Sequence, residues 1–92
     1  MIGEAASPGH PAHPWILRHY EGAMPRLERA VRAGQEQGAI HPDAPAGQIA
    51  RTTIALMDGL QVQFLLDPEL DMAADLRVHV EELKRRWGLP GA

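Results

Sequence analysis

Residues 55–68 read ALMDGLQVQFLLDP. Continued back to Ala44, this segment predicts one helix over residues 44–66 that ends at an Asp67-Pro68 turn. At about 100° per residue, one broad face carries Thr53 and most of the apolar side chains: Ala46, Ile49, Ala50, Ile54, Leu56, Met57, Leu60, Phe64 and Leu65. A second stripe runs along the other side: Ala55, Gly59, Val62 and Leu66. Because a helix that is apolar on two sides must be covered on two sides, we expect a partner on the second stripe.

Amphipathic patterns on either side of this segment predict two more helices. The first begins at Trp15 and ends near Gly38, and Pro25 within it either kinks one helix or separates two. The last spans residues 72–87, with Asp71 as its N-cap. Asp43 is the predicted N-cap of the middle helix. The predicted fold is therefore all-α, with three principal amphipathic helices.

The first 14 residues differ from the rest in composition. Their prolines and glycines predict a flexible or extended lead-in over residues 1–14, ahead of a helical domain over residues 15–92. His10 and His13 could be recruited to a metal, but no third ligand sits at a fixed spacing. We therefore expect no metal site and no cofactor.

Composition excludes several classes of protein. A chain of 92 residues is one domain or part of one. It has no cysteine, which removes disulfides and thiolate chemistry, and its net charge of −3 has the wrong sign for a self-sufficient nucleic-acid binder. Ser7 is the only serine and lies in the lead-in. No set of catalytic residues is recognisable in the sequence, so an enzyme is not expected. Neither a signal peptide nor a membrane span is recognisable, which predicts a cytoplasmic protein.

The order of these elements resembles a known family. RAGQEQGAI at residues 32–40, Asp43 before an alanine-rich helix, and residues 55–68 together look like the C-terminal regulatory domain of TetR-family transcription regulators. The resemblance covers residues 15–87. It implies an all-helical domain that binds a small apolar or amphipathic effector. It also implies a homodimer in which the last two helices pair with their copies as a four-helix bundle.

The resemblance and the apolar stripes together suggest two sets of site residues. The expected dimer interface comprises Ala55, Gly59, Val62, Leu66, Leu76, Val80 and Leu83. A partial effector site is expected at Tyr20, Met24, Met57, Gln61 and Phe64.

The chain departs from the family before residue 15, where no helix-turn-helix reader precedes the helices. We therefore expect a fragment, a truncated gene product or a stand-alone protein, with DNA contacted only through the missing N-terminal domain. The alternative is a stand-alone helical interaction module that homodimerises or pairs with a full-length regulator.

Overall fold

The structure, a computed structural model, describes residues 13–90; for residues 13–17, 19 and 20 it describes the backbone alone. These residues form three helices, α1 (His13–Glu36), α2 (Ala46–Leu66) and α3 (Met72–Trp87). The predicted all-α class is confirmed. The lead-in predicted over residues 1–14 falls outside this part of the chain, except for its last two residues, which begin α1.

Helix α1 is a single helix that continues through Pro25, so the alternative of two helices is wrong. It begins at His13, slightly before the predicted start at Trp15. Pro14 is tolerated there because the first N–H groups of a helix have no acceptor within the helix. The Arg32 guanidinium contacts the Glu28 carboxylate at 3.0 Å, which ties two successive turns of the exposed face.

The predicted stop of α1 at Gly38 is confirmed. Gly38 has φ +78°, a left-handed conformation that glycine adopts without strain. The chain then folds back, and the Ala39 N–H donates to the Gly34 carbonyl at 2.8 Å. Ile40 lies against Gly34, where an added Cβ would be 2.5 Å from the Ile40 Cδ1. Glycine at this position lets the loop pack against the helix it has just left.

The predicted N-cap of α2 is wrong, whereas the predicted N-cap of α3 is confirmed. Helix α2 begins at Ala46, after Pro45, and no side chain caps it. Asp43 lies in the preceding turn, where its N–H donates to Nδ1 of His41 at 3.0 Å. At α3, Oδ1 of Asp71 accepts from the Ala74 N–H at 3.0 Å. Asp71 thereby satisfies one of the unpaired donors of the first turn.

The core of the described residues is small and lies mainly along α2, which packs against both other helices. Its buried members are mostly short side chains: Ala44, Ala46, Ala50, Thr53, Ile54 and Leu60. Thr53 is joined to α3 through a 2.9 Å hydrogen bond between its Oγ1 and Nε2 of His79. This bond gives the one buried polar side chain of that core a partner.

The molecule is thin. It measures 46 × 30 × 14 Å, and the smallest dimension is close to the width of one helix, about 10–12 Å. Domains are usually built from at least two packed layers of secondary structure. The three helices thus form a single layer, and much of their apolar surface has no second layer against it.

Candidate functional site

The second stripe of α2 is largely uncovered by the described part of the chain. Ala55 is exposed, Gly59 and Val62 are half-buried, and Leu66 is 78 % exposed. A Cβ added at Gly59 would meet no heavy atom within 4 Å. No neighbouring part of the described chain therefore occupies the notch at Gly59.

The predicted interface residues of α3 lie elsewhere than this stripe. Leu76 lines a cavity with Met57 and Leu60, which lie on the opposite side of α2 from Ala55. Val80 and Leu83 line a different cavity, beside Ile49 of α2. The seven predicted interface residues therefore divide between the outer stripe of α2 and the grooves beside α3.

Two of the five predicted effector residues meet at one cavity. Met57 and Gln61 line a space of about 240 Å³ together with Leu60, Met72, Ala73 and Leu76. Phe64 lies on the same face one turn further along α2 and is 40 % exposed. Met24 is half-buried on α1, and the side chain of Tyr20 is among those that the structure does not describe.

Met57 also borders a second space, of about 220 Å³, between α1 and α2. Arg26 and Asp58 line it beside three apolar residues, Ala23, Leu27 and Ile54. The mid-helix Asp58 is half-buried and is one of the residues that line this space. Both spaces at Met57 are smaller than the usual volume of a site for a drug-sized ligand, about 300–1,000 Å³.

A larger cavity, of about 730 Å³, lies at the other end of α2, and no sequence pattern singled it out. Its walls come from all three helices, from the loop after α1 and from the segment after α3: Val31, Ala39, Ile40, Ile49, Val80, Leu83, Lys84, Trp87, Gly88, Leu89 and Pro90. Two residues in the sequence could have pointed to this cavity: Trp87, at the end of the apolar stripe of α3, and Ile40, in the loop after α1. The sequence does not show that they lie close together, because their proximity depends on a contact between distant parts of the chain.

That contact is a short antiparallel pairing between residues 39–41 and 87–89, here called the clasp. The Leu89 N–H donates to the Ala39 carbonyl at 3.0 Å, and the His41 N–H donates to the Trp87 carbonyl at 2.8 Å. The His41 and Trp87 rings lie 6.4 Å apart between centroids. The clasp fastens the end of α3 to the loop that follows α1.

Gln35 holds the same loop from α1. Its Nε2 lies 3.2 Å from the His41 carbonyl, 3.1 Å from that of Pro42 and 3.0 Å from that of Ala44. Three carbonyls of the loop thereby converge on one side-chain amide. The loop is held both by the clasp and by Gln35, and it forms part of the cavity wall.

Basic side chains are concentrated in the last turn of α3, at Lys84, Arg85 and Arg86. Lys84 Nζ lies 3.4 Å from Glu81 Oε1, and Arg85 contacts Glu82. The Arg86 guanidinium lies 5.5 Å from the centroid of the Trp87 ring. Of these three residues, Lys84 alone lines the cavity, so α3 places one positive charge, paired with Glu81, at the edge of the cavity.

The described residues, 13–90, contain neither a metal-binding group of side chains nor a helix that could span a membrane. No group of three His, Asp or Glu side chains in that part of the chain could hold a metal ion. The alternative at His10 and His13 lies outside the side chains described. Of α1, α2 and α3, none is long and apolar enough to cross a membrane.

The three amphipathic helices thus leave grooves between them and an apolar stripe on α2 that the described residues do not cover. Residues 15–86 match the family model described as "BetI-type transcriptional repressor, C-terminal". The chain belongs to this family of TetR-type C-terminal domains, which confirms the resemblance. No curated protein and no solved structure matched the chain significantly.

Proposed function

We propose that this domain is the dimerisation and effector-binding part of a TetR-type transcriptional regulator. The observation that carries the proposal is the largely uncovered stripe of α2, with an open notch at Gly59. In this proposal DNA is read by an N-terminal domain, and the described helices set the distance between two such readers. Because the family regulates transcription, the same proposal implies action in the cytoplasm.

The second copy is the partner that the stripe of α2 fits best. Small residues at Ala55 and Gly59 let two helices approach closely, as in packed bundles. Leu65 and Leu66 at the end of α2 are 75 % and 78 % exposed. Each square ångström of apolar surface removed from water contributes about 25 cal/mol, so covering them favours association. A twofold axis allows one surface to serve both copies.

The assembly state of the full 92-residue chain tests this proposal. We expect light scattering to give about twice the chain mass of 10.1 kDa at high concentration. Helicity followed by circular dichroism should fall on dilution, because a one-layer fold loses its second layer when the dimer dissociates. A helical monomer whose mass and helicity do not change with concentration contradicts the proposal.

The effector half of the proposal places a small, mainly apolar ligand in the effector groove, which consists of the two adjoining spaces at Met57, one between α1 and α2 and one between α2 and α3. Met57 and Gln61 supply an adaptable thioether and one polar group, with Met24, Phe64 and Tyr20 as further candidate walls. A ligand in this groove stabilises one arrangement of the helices over others. It changes the spacing of the two readers only to the extent that it binds one arrangement more tightly.

An uncharged fluorescent probe, N-phenyl-1-naphthylamine, tests this groove. We expect Phe64→Ala to weaken its binding about tenfold, since an aromatic wall contributes on the order of 1–2 kcal/mol. Gln63→Ala is the control, because Gln63 is the neighbouring residue, is exposed and lines neither of the spaces at Met57. Equal loss in the two variants contradicts the placement of the site.

A further inference from the structure

We propose that the cavity bounded by the clasp is a second ligand site, which takes a small amphipathic anion with an apolar body and one carboxylate. This site is separate from the effector groove, because the cavity has no lining residue in common with either space of that groove. The proposal stands on three observations: the volume and lining of the cavity, the fixed position of its wall, and the charge at its edge.

The cavity has the volume and lining of a ligand site. Its volume of about 730 Å³ falls within the usual range for such sites, about 300–1,000 Å³. Aliphatic side chains from three helices line it, and the Trp87 ring adds a flat apolar surface. Such a lining favours an alkyl or aromatic body, whose burial needs no hydrogen-bond partner.

Hydrogen bonds within the chain hold the wall of the cavity. Gly88, Leu89 and Pro90 form one side, and the two main-chain hydrogen bonds of the clasp hold this segment to residues 39–41. Gln35 fixes the loop on the far side of the clasp. Binding to a preformed site avoids most of the entropy cost of ordering loops, which favours even a small ligand.

The charge at the edge specifies an anion. Lys84 is the one ionisable residue among the eleven that line the cavity. Its amine contacts Glu81 at 3.4 Å, through an exposed pair of the kind that contributes only about 0–1 kcal/mol. An ammonium group has three donors, so a ligand carboxylate can bind Lys84 beside Glu81 or displace it. Arg86, on the Trp87 ring, adds a second positive charge nearby.

A second copy of the chain is the competing occupant. Val80 and Leu83, which the sequence assigns to the dimer interface, both line this cavity. If the copy filled the cavity, ligand binding and dimerisation would exclude each other. The test therefore follows ligand binding and molecular mass in the same samples.

Dodecanoate is the probe, and Trp87 is the reporter. The full chain has two tryptophans, so Trp15→Phe leaves Trp87 as the single source of indole fluorescence. We expect a saturable change in Trp87 emission with dodecanoate at concentrations below its micelle threshold. Dodecyltrimethylammonium, which has the same alkyl chain and the opposite charge, should bind at least tenfold more weakly.

Two charge variants in the Trp15→Phe background locate the carboxylate. Lys84→Gln should weaken dodecanoate binding about tenfold, because a charge-assisted hydrogen bond is lost. Arg85→Gln is the matched control, since Arg85 is the adjacent residue, pairs with Glu82 and does not line the cavity. Gly88→Ala should also weaken binding, because its Cβ would lie 2.5 Å from the Lys84 carbonyl oxygen and would displace the clasp.

Three results would overturn this second site. They are the absence of saturable binding, equal affinity for the two head groups, and equal effects of the Lys84 and Arg85 variants. Binding that is lost as the chain dimerises would assign the cavity to the copy instead. Because light scattering reports assembly independently of Trp87, failure of the ligand site and failure of the proposed dimer are distinguishable.

Discussion

Gly59→Arg is expected to convert the dimer into a monomer. Gly59 has open space around it within one chain, so the substitution meets no obstacle in the monomer itself. At a close helix crossing, an arginine side chain cannot fit and its charge would lose water without a partner. We expect the dimer dissociation constant to rise at least a hundredfold, as measured by light scattering over a dilution series.

The control for this prediction is Ala33→Arg. Ala33 is exposed on α1 and belongs to neither predicted site, so the same side chain there should leave the dimer intact. If Gly59→Arg dimerises as tightly as Ala33→Arg, the interface does not include the stripe. If Gly59→Arg unfolds at every concentration, Gly59→Ser provides a milder version, for which we expect weaker dimerisation with helicity retained.

Trp87→Ala is expected to cause the largest loss of stability among single truncations at the clasp. The Trp87 side chain lines the cavity, and its ring lies near the His41 ring and the Arg86 guanidinium. Removing a large, half-buried aromatic side chain costs about 2–3 kcal/mol. For a chain of this length, that corresponds to a fall in Tm of about 10–20 °C, which circular dichroism at fixed protein concentration measures.

The variant Trp87→Phe tests whether the loss of stability in Trp87→Ala comes from lost packing of the ring. Phenylalanine retains an apolar ring against the cavity, so we expect at least half of the lost stability to return. A Tm for Trp87→Ala within about 2 °C of the parent chain would mean that the clasp contributes little to the fold. In that case the cavity wall would not be fixed in the absence of ligand, and the argument for the second site would lose its support from rigidity.

Local patterns in the sequence are sufficient for most of the fold. Apolar spacing predicts the three helices, Gly38 predicts the stop of α1, and Asp71 predicts the start of α3. Each of these features depends on residues within one or two turns of each other. Asp43 fails as a cap because α2 begins only at Ala46, after Pro45, and Asp43 lies in the preceding turn, where its N–H donates to Nδ1 of His41. The same loop is bound by Gln35, far back on α1, and sequence spacing does not reveal a contact between such distant residues.

The candidate sites depend more strongly on contacts between distant segments. Helical phase places Met57, Gln61 and Phe64 on one face, and the structure brings the first two together at one cavity. The helical phase of the apolar residues does not reveal the larger cavity, which exists because residues 39–41 pair with residues 87–89. Phase also does not show that Leu76 and Val80 line different cavities, since both lie in one stripe of α3.

The thinness of the molecule changes which substitutions the chain can tolerate. In a thicker domain, the division between interior and surface is fixed by the fold of one chain. A layer about one helix deep, 14 Å in its smallest dimension, has no such fixed division. Positions such as Leu66 are surface in the free chain and become interior when another protein lies against them. Natural selection then acts on those positions as on interior residues whenever the partner covers them. The range of residues that α2 tolerates there therefore indicates how constantly the partner is bound.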